Sequence, residues 1–185
     1  MIGLLLFIGI WGNIDNIMLL PPEYRGGENV ILFISLGYLI DMATGINYVI
    51  VLTSKYYRYD TYFMVIVLTV TIASNYILIP LYGITGSAIA TAITISFYNV
   101  LRWLFLYFKF KMQPYDFNTI KLILIGAIAF LPTYFIPTLN NMIIDLMVRS
   151  SAIGGLFILL ILKLEAAPEL NAKIRKNLIR FSIKL

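Results

Sequence analysis

The sequence of 185 residues contains no cysteine and no histidine. Without thiols there is no disulfide and no thiolate nucleophile. Without imidazole there is no histidine general base, and no His/Cys metal site can form; nothing in the spacing supports an acid–base pair from Asp15, Asp41 and a Lys. Ser87 therefore lacks the partner that a Ser–His dyad needs. No Gly-rich phosphate loop follows a strand, and no paired-carboxylate motif for a metal-dependent transferase is visible. An enzyme is not expected, nor a cofactor, nor a bound metal. Charge is scarce as well. Only 12% of residues are charged and 61% are hydrophobic, whereas a soluble domain is about 25% charged and about 45–50% apolar. That excess of apolar residues does not suit a water-soluble core and implies an integral membrane protein. The opening MIGLLLFIGIW has neither the basic region nor the small-residue cleavage site of a signal peptide. Its first apolar run begins almost at Met1, as in a partial chain.

A membrane span takes about 20 mainly apolar residues. Six segments meet that length: Ile2–Leu20, Asn29–Thr53, Thr61–Pro80, Ile84–Phe108, Thr119–Pro137 and Met142–Leu162. The expected fold is all-α, a polytopic bundle of six transmembrane helices over residues 1–164. PPEYRGG, SKYYRYD, IPLYGITG, KFKMQPYDFN and IPTLNN carry the turn chemistry between spans. Residues 165–185 form a separate basic tail. There Leu170, Ile174, Leu178, Phe181 and Leu185 recur at helical spacing with basic residues between them. That pattern predicts an amphipathic helix lying on anionic lipid.

The net charge of +5 follows this topology and forms no nucleic-acid patch. Lys55, Arg58, Lys109, Lys111, Lys121 and the basic tail fall on one side of the six spans. The other side has Arg25, with Arg149 just inside the last helix. The positive-inside rule then places both termini in the cytoplasm. Tyr56, Tyr57, Tyr59 and Tyr62 cluster at the same boundary, as an aromatic belt does.

Two kinds of position stand out within the spans. In NYILIPLYGITGSAIATAITISFYN, Pro80 and Gly83 end one helix and begin the next, and Gly86 and Ala90 start a run of small residues. Such spacing lets helix backbones approach closely, and on physical grounds helix packing is its simplest role. The second kind is polar. On the second span Ile34, Gly37, Tyr38, Asp41, Thr44, Gly45 and Tyr48 share a face. A carboxylate at mid-span costs about 2.5–3.5 kcal/mol on insertion scales. Asp41 is therefore expected to face protein or a water-filled cavity. On the fourth span Thr91, Ile95, Tyr98, Asn99, Arg102, Phe105 and Lys109 form a second stripe. There Arg102 either snorkels to the interface or contacts a ligand. Asp145 and Arg149, four apart, are expected to pair with each other. Asn13, Asp15 and Asn16 fall near the outer end of the first span.

Asn75, the IP pair at Ile79–Pro80 and YGITGSAIAT after it carry a resemblance. They are similar to the C-terminal lobe of polysaccharide and lipid-linked oligosaccharide flippases, within the multidrug/oligosaccharidyl-lipid/polysaccharide exporter superfamily. LIDMATGIN and SKYYRYD resemble the subgroup that serves capsule and O-antigen synthesis. The likeness covers the final six helices of a 14-span member, and eight preceding helices would be missing. It implies a transporter of the bacterial inner membrane that flips a lipid-linked oligosaccharide between leaflets. Its partners would be membrane lipid, that substrate, and a missing N-terminal lobe or a second copy of the chain. On this reading Arg102 contacts the pyrophosphate, Asp41 senses a coupling proton or cation, and Asn99, Tyr38 and Thr44 complete the site. The alternatives are an ion-coupled drug or cation antiporter of the same superfamily, and a truncated membrane protein that does not transport.

Overall fold

A computed structural model describes residues 1–18, 27–45, 47–113, 117–137, 139, 141–164 and 166. The described residues are helical and contain no strand. The order is α1 (Ile2–Gly12), α2 (Ile14–Met18), α3 (Glu28–Thr44), α4 (Asn47–Thr53), α5 (Tyr57–Phe110), α6 (Phe117–Phe130), α7 (Pro132–Phe135) and α8 (Met142–Lys163). Three helical stretches are long and apolar enough to cross a membrane: Tyr57–Phe110, Phe117–Phe135 and Met142–Lys163. The pair α3 and α4, bent by 53°, makes up to four if taken as one span. The six-span expectation is thus met only in its class, all-helical with membrane-length apolar helices. The tail expected as an amphipathic helix, residues 165–185, lies outside the described residues apart from Ala166, as does the PPEYR turn.

Two expected spans are broken. Ile2–Leu20 divides at Asn13 into α1 and α2. The Asn13 side chain donates to the Gly9 carbonyl at 2.8 Å, and its backbone N–H turns back to the Ile10 carbonyl. A polar side chain that bonds nearby backbone in this way competes with the helix. Asn29–Thr53 divides at Gly45, whose φ of 70° and ψ of −139° end α3. That conformation is essentially confined to glycine.

The chain forms two compact units, Met1–Asn13 with Asp116–Leu185, and Ile14–Tyr115. In the first, α8 presents Asp145, Arg149, Ile153, Phe157 and Ile161 along one buried stripe, as residues four apart on a helix must. Its apolar part packs with Ile8 of α1 and with Ile125 and Ala129 of α6. Asn141 caps α8, its side-chain oxygen accepting from the Ile143 and Ile144 N–H groups at 3.0 and 3.4 Å. The Asp145–Arg149 pair forms at 2.8 Å. It also does more than satisfy itself. Arg149 donates to the Thr133 and Ile136 carbonyls, and Asp145 accepts from the Leu139 N–H. The pair thereby ties the connection after α6 to α8.

The second unit is built on α5. A straight helix of that length would extend roughly 80 Å, against about 30 Å of bilayer hydrocarbon. It turns back at Gly83, where φ is 56° and ψ is −131°. Pro80 lacks the N–H that would bond the Tyr76 carbonyl, which weakens the helix just before the turn. The two arms run antiparallel. Thr71 meets Thr94 at 3.3 Å, and Asp60 meets Arg102 at 3.0 Å. A Cβ on Gly86 would lie 2.0 Å from the Leu78 carbonyl oxygen, so only glycine permits this approach. Pro80 and Gly83 thus lie at the turn, Gly86 at the close approach, and Ala90 is fully buried. Helix α3 lies along the second arm, where a Cβ on Gly37 would meet the Ala92 Cα at 3.1 Å.

Candidate functional site

The polar residues of the second unit gather where α3 ends against the second arm of α5. Asp41 and Thr44 stand in the last turn of α3, just before the break at Gly45. Asn99, on the second arm, reaches both. Its Nδ2 donates to Asp41 Oδ1 at 2.9 Å and to the Ile95 carbonyl at 3.0 Å. Its Oδ1 faces the Thr44 hydroxyl at 2.7 Å, and that hydroxyl also lies 2.8 Å from the Asp41 carbonyl. A single hydroxyl proton therefore has two acceptors. Asn99 and Thr44 are buried. Asp41 is exposed as a residue, with one carboxylate oxygen engaged. That oxygen faces protein, at Asn99. Asp41 stands at a helix end and not within a continuous span, because Gly45 breaks the helix four residues later.

One turn along the second arm, Arg102 forms a second cluster. Its Nε and Nη2 both donate to Asp60 Oδ1 at 3.0 Å. Nη2 also donates to the Tyr98 hydroxyl, which lies 3.3 Å from the same carboxylate oxygen. The guanidinium sits over the Tyr98 ring at 3.6 Å from its centroid and 5.6 Å from that of Tyr48 in α4. Arg102 and Asp60 are both buried. Arg102 therefore neither snorkels nor stands as a free cation, because Asp60 compensates its charge inside the hairpin.

Of the residues expected from sequence, Asp41, Asn99 and Thr44 form one hydrogen-bonded group, with Arg102 adjacent. Tyr38 is half exposed and outside both clusters. Sequence reasoning placed Tyr48 and Tyr98 on the two polar stripes without giving them a role, and missed Asp60 and Asn47. Asp60 read as part of a charged loop. A turn at Gly83, however, places Asp60 opposite Arg102 to within about one helical turn, and that register was the available signal. Asn47, the first residue of α4, is buried, and its Nδ2 has no hydrogen-bond partner among the described residues. No group of three or more His, Cys, Asp or Glu that could hold a metal ion occurs among the described residues.

These features define a class: an all-α protein with membrane-length apolar helices and a partly buried polar network beside a helix break. Beyond the class, comparison with protein-family profiles, curated proteins and solved structures finds no match.

Proposed function

We propose that the chain is part of a membrane transporter that moves a lipid-linked oligosaccharide from the inner to the outer leaflet of the bacterial inner membrane. On this reading it has six spans with cytoplasmic termini. The observation that carries the transport reading is the Asp41–Asn99–Thr44 network at the Gly45 break. Ionisable groups are retained in membrane helices mainly where they line pathways or coupling sites. Discontinuous helices supply such sites, because the carbonyls left unpaired at a helix end favour cations. Asp41 is the coupling group. A proton or monovalent cation at its carboxylate changes what Asn99 meets, and Asn99 passes that change to Thr44 and α3. Such a device biases a two-state equilibrium only through different affinities in the two states. The oligosaccharide substrate rests on the resemblance of the Asn75–Asn99 segment, with membrane lipid as the surrounding partner.

Asp41→Asn in the intact protein tests this. Glycan export should fall and lose its dependence on the ion gradient, while protein level is kept. Unchanged export with unchanged ion dependence refutes coupling through Asp41. Export of small organic cations, with no glycan defect on gene deletion, would replace the oligosaccharide by the antiporter reading.

A further inference from the structure

The turn at Gly83 brings the two ends of α5 together. Tyr56, just before the first arm, packs edge-on against Phe105 and Phe110 of the second, with ring centroids 5.9 and 5.8 Å apart. Around these rings stand Lys55, Arg58, Lys109 and Lys111, all exposed. Lys55 Nζ and Lys109 Nζ, from opposite ends of the hairpin, lie over the same Tyr56 ring at 5.2 and 5.7 Å from its centroid. Among the described residues none of the four cations forms an ion pair. Asp60, the acid nearest to Lys55 and Arg58 in sequence, is buried and taken by Arg102. Like charges gathered without a counter-charge repel one another, so the arrangement favours an anion from outside. The flank beside it is apolar and exposed, with Leu104 and Phe108 one turn apart on the second arm. A basic rim on an apolar flank fits a molecule that is anionic at one end and hydrocarbon at the other.

We propose that the paired ends of α5 form a binding site for an anionic phospholipid. Lys55 and Lys109 donate to phosphate oxygens of its headgroup beside Tyr56, and its acyl chains lie against Leu104 and Phe108. The Tyr56 ring holds both ammonium groups by cation–π attraction, which fixes the site without neutralising it. A lipid with two phosphates answers more of the charge than a lipid with one, so diphosphatidylglycerol binds ahead of phosphatidylglycerol. The sequence shows only that these cations share a side of the membrane. The fold brings Lys55 and Lys109 onto one ring. The site stands apart from Asp41, and it rests on the membrane-length apolar helices and not on the transport reading.

The test is native mass spectrometry of the purified full chain in detergent, titrated with diphosphatidylglycerol, phosphatidylglycerol and phosphatidylcholine. Affinity should fall in that order. Lys55→Gln and Lys109→Gln should each weaken diphosphatidylglycerol binding about fivefold, and the double variant about 25-fold. Both residues are exposed, so the fold should survive these changes. Tyr56→Leu keeps every charge and should weaken binding about threefold, because the ammonium groups lose the ring that holds them. Lys121→Gln removes the same charge from the other unit and should leave the affinity unchanged. Equal weakening by Lys121→Gln and Lys109→Gln overturns the site, because it would mean that diffuse surface charge holds the lipid. Equal binding of phosphatidylcholine and phosphatidylglycerol overturns it as well. Glycerol 3-phosphate that displaces the lipid at equal concentration would assign the cations to a soluble phosphate, and it too overturns the proposal.

Discussion

Removing one member of the Asp60–Arg102 pair should be far more damaging than removing both. Both side chains are largely withdrawn from solvent, at 8% and 11% exposure, and they join the two arms of α5. Asp60→Leu leaves the guanidinium buried with only the Tyr98 hydroxyl to receive it. An uncompensated buried charge of this kind costs about 3–5 kcal/mol. The double replacement Asp60→Leu with Arg102→Met removes both charges and fills similar volume, and such exchanges are often within about 1 kcal/mol of neutral or are stabilising. The cycle therefore predicts strong non-additivity, with a coupling at the upper end of the roughly 0.5–3 kcal/mol range seen for contacting residues. Equilibrium unfolding in mixed micelles, followed by far-UV circular dichroism, measures it. The single variants should unfold at clearly lower denaturant fractions than the wild type, and the double variant close to it. Equal destabilisation by Asp60→Leu and by the double replacement would refute the reasoning, because it would mean that lost packing and not an orphaned charge dominates.

Two glycines give a paired expectation. Gly86→Ala forces a methyl against the Leu78 carbonyl, a rigid backbone atom, and should open the hairpin. Gly126→Ala meets only the Leu4 side chain, Cδ2 at 2.7 Å and Cγ at 3.0 Å, which can shift more readily than backbone, and should be milder. Cross-linking between paired cysteines at 71 and 94 would report the first, and thermal stability the second. Asn141→Ala removes the cap of α8 and should lower stability by about 0.5–2 kcal/mol, read by the same unfolding assay. Arg149→Gln should loosen the connection after α6, raising amide exchange at Leu139 specifically, because Asp145 loses its counter-charge and the Thr133 and Ile136 carbonyls lose their donor.

Much of the local structure was legible without coordinates. Helix α8 is one example, since its apolar run, its Asn141 start and the four-residue step from Asp145 to Arg149 all lie within one short segment. The turn after Pro80 is another, because proline and glycine act on their own backbone. The second break was harder to read. Gly45 lies in a run as apolar as its surroundings, and nothing near it in sequence distinguishes a glycine packed in a helix from one that ends it. That distinction depends on α3 and α4 both lying against α5.

Composition and helical period are properties of neighbouring residues, so the sequence alone determined the all-helical class, the presence of membrane-length apolar helices and the pairing of Asp145 with Arg149. The partner of Arg102 was a different kind of fact. Asp60 stands at the far end of the other arm, in a stretch whose charges suggest a solvated loop. Only the antiparallel return at Gly83 carries it into the hairpin beside the guanidinium. The same holds for Asn99, whose amide joins Asp41 and Thr44 only because Gly37 lets α3 lie close along the second arm. Contacts between residues distant in sequence depend on where helices turn and how closely they approach, and tertiary packing decides both.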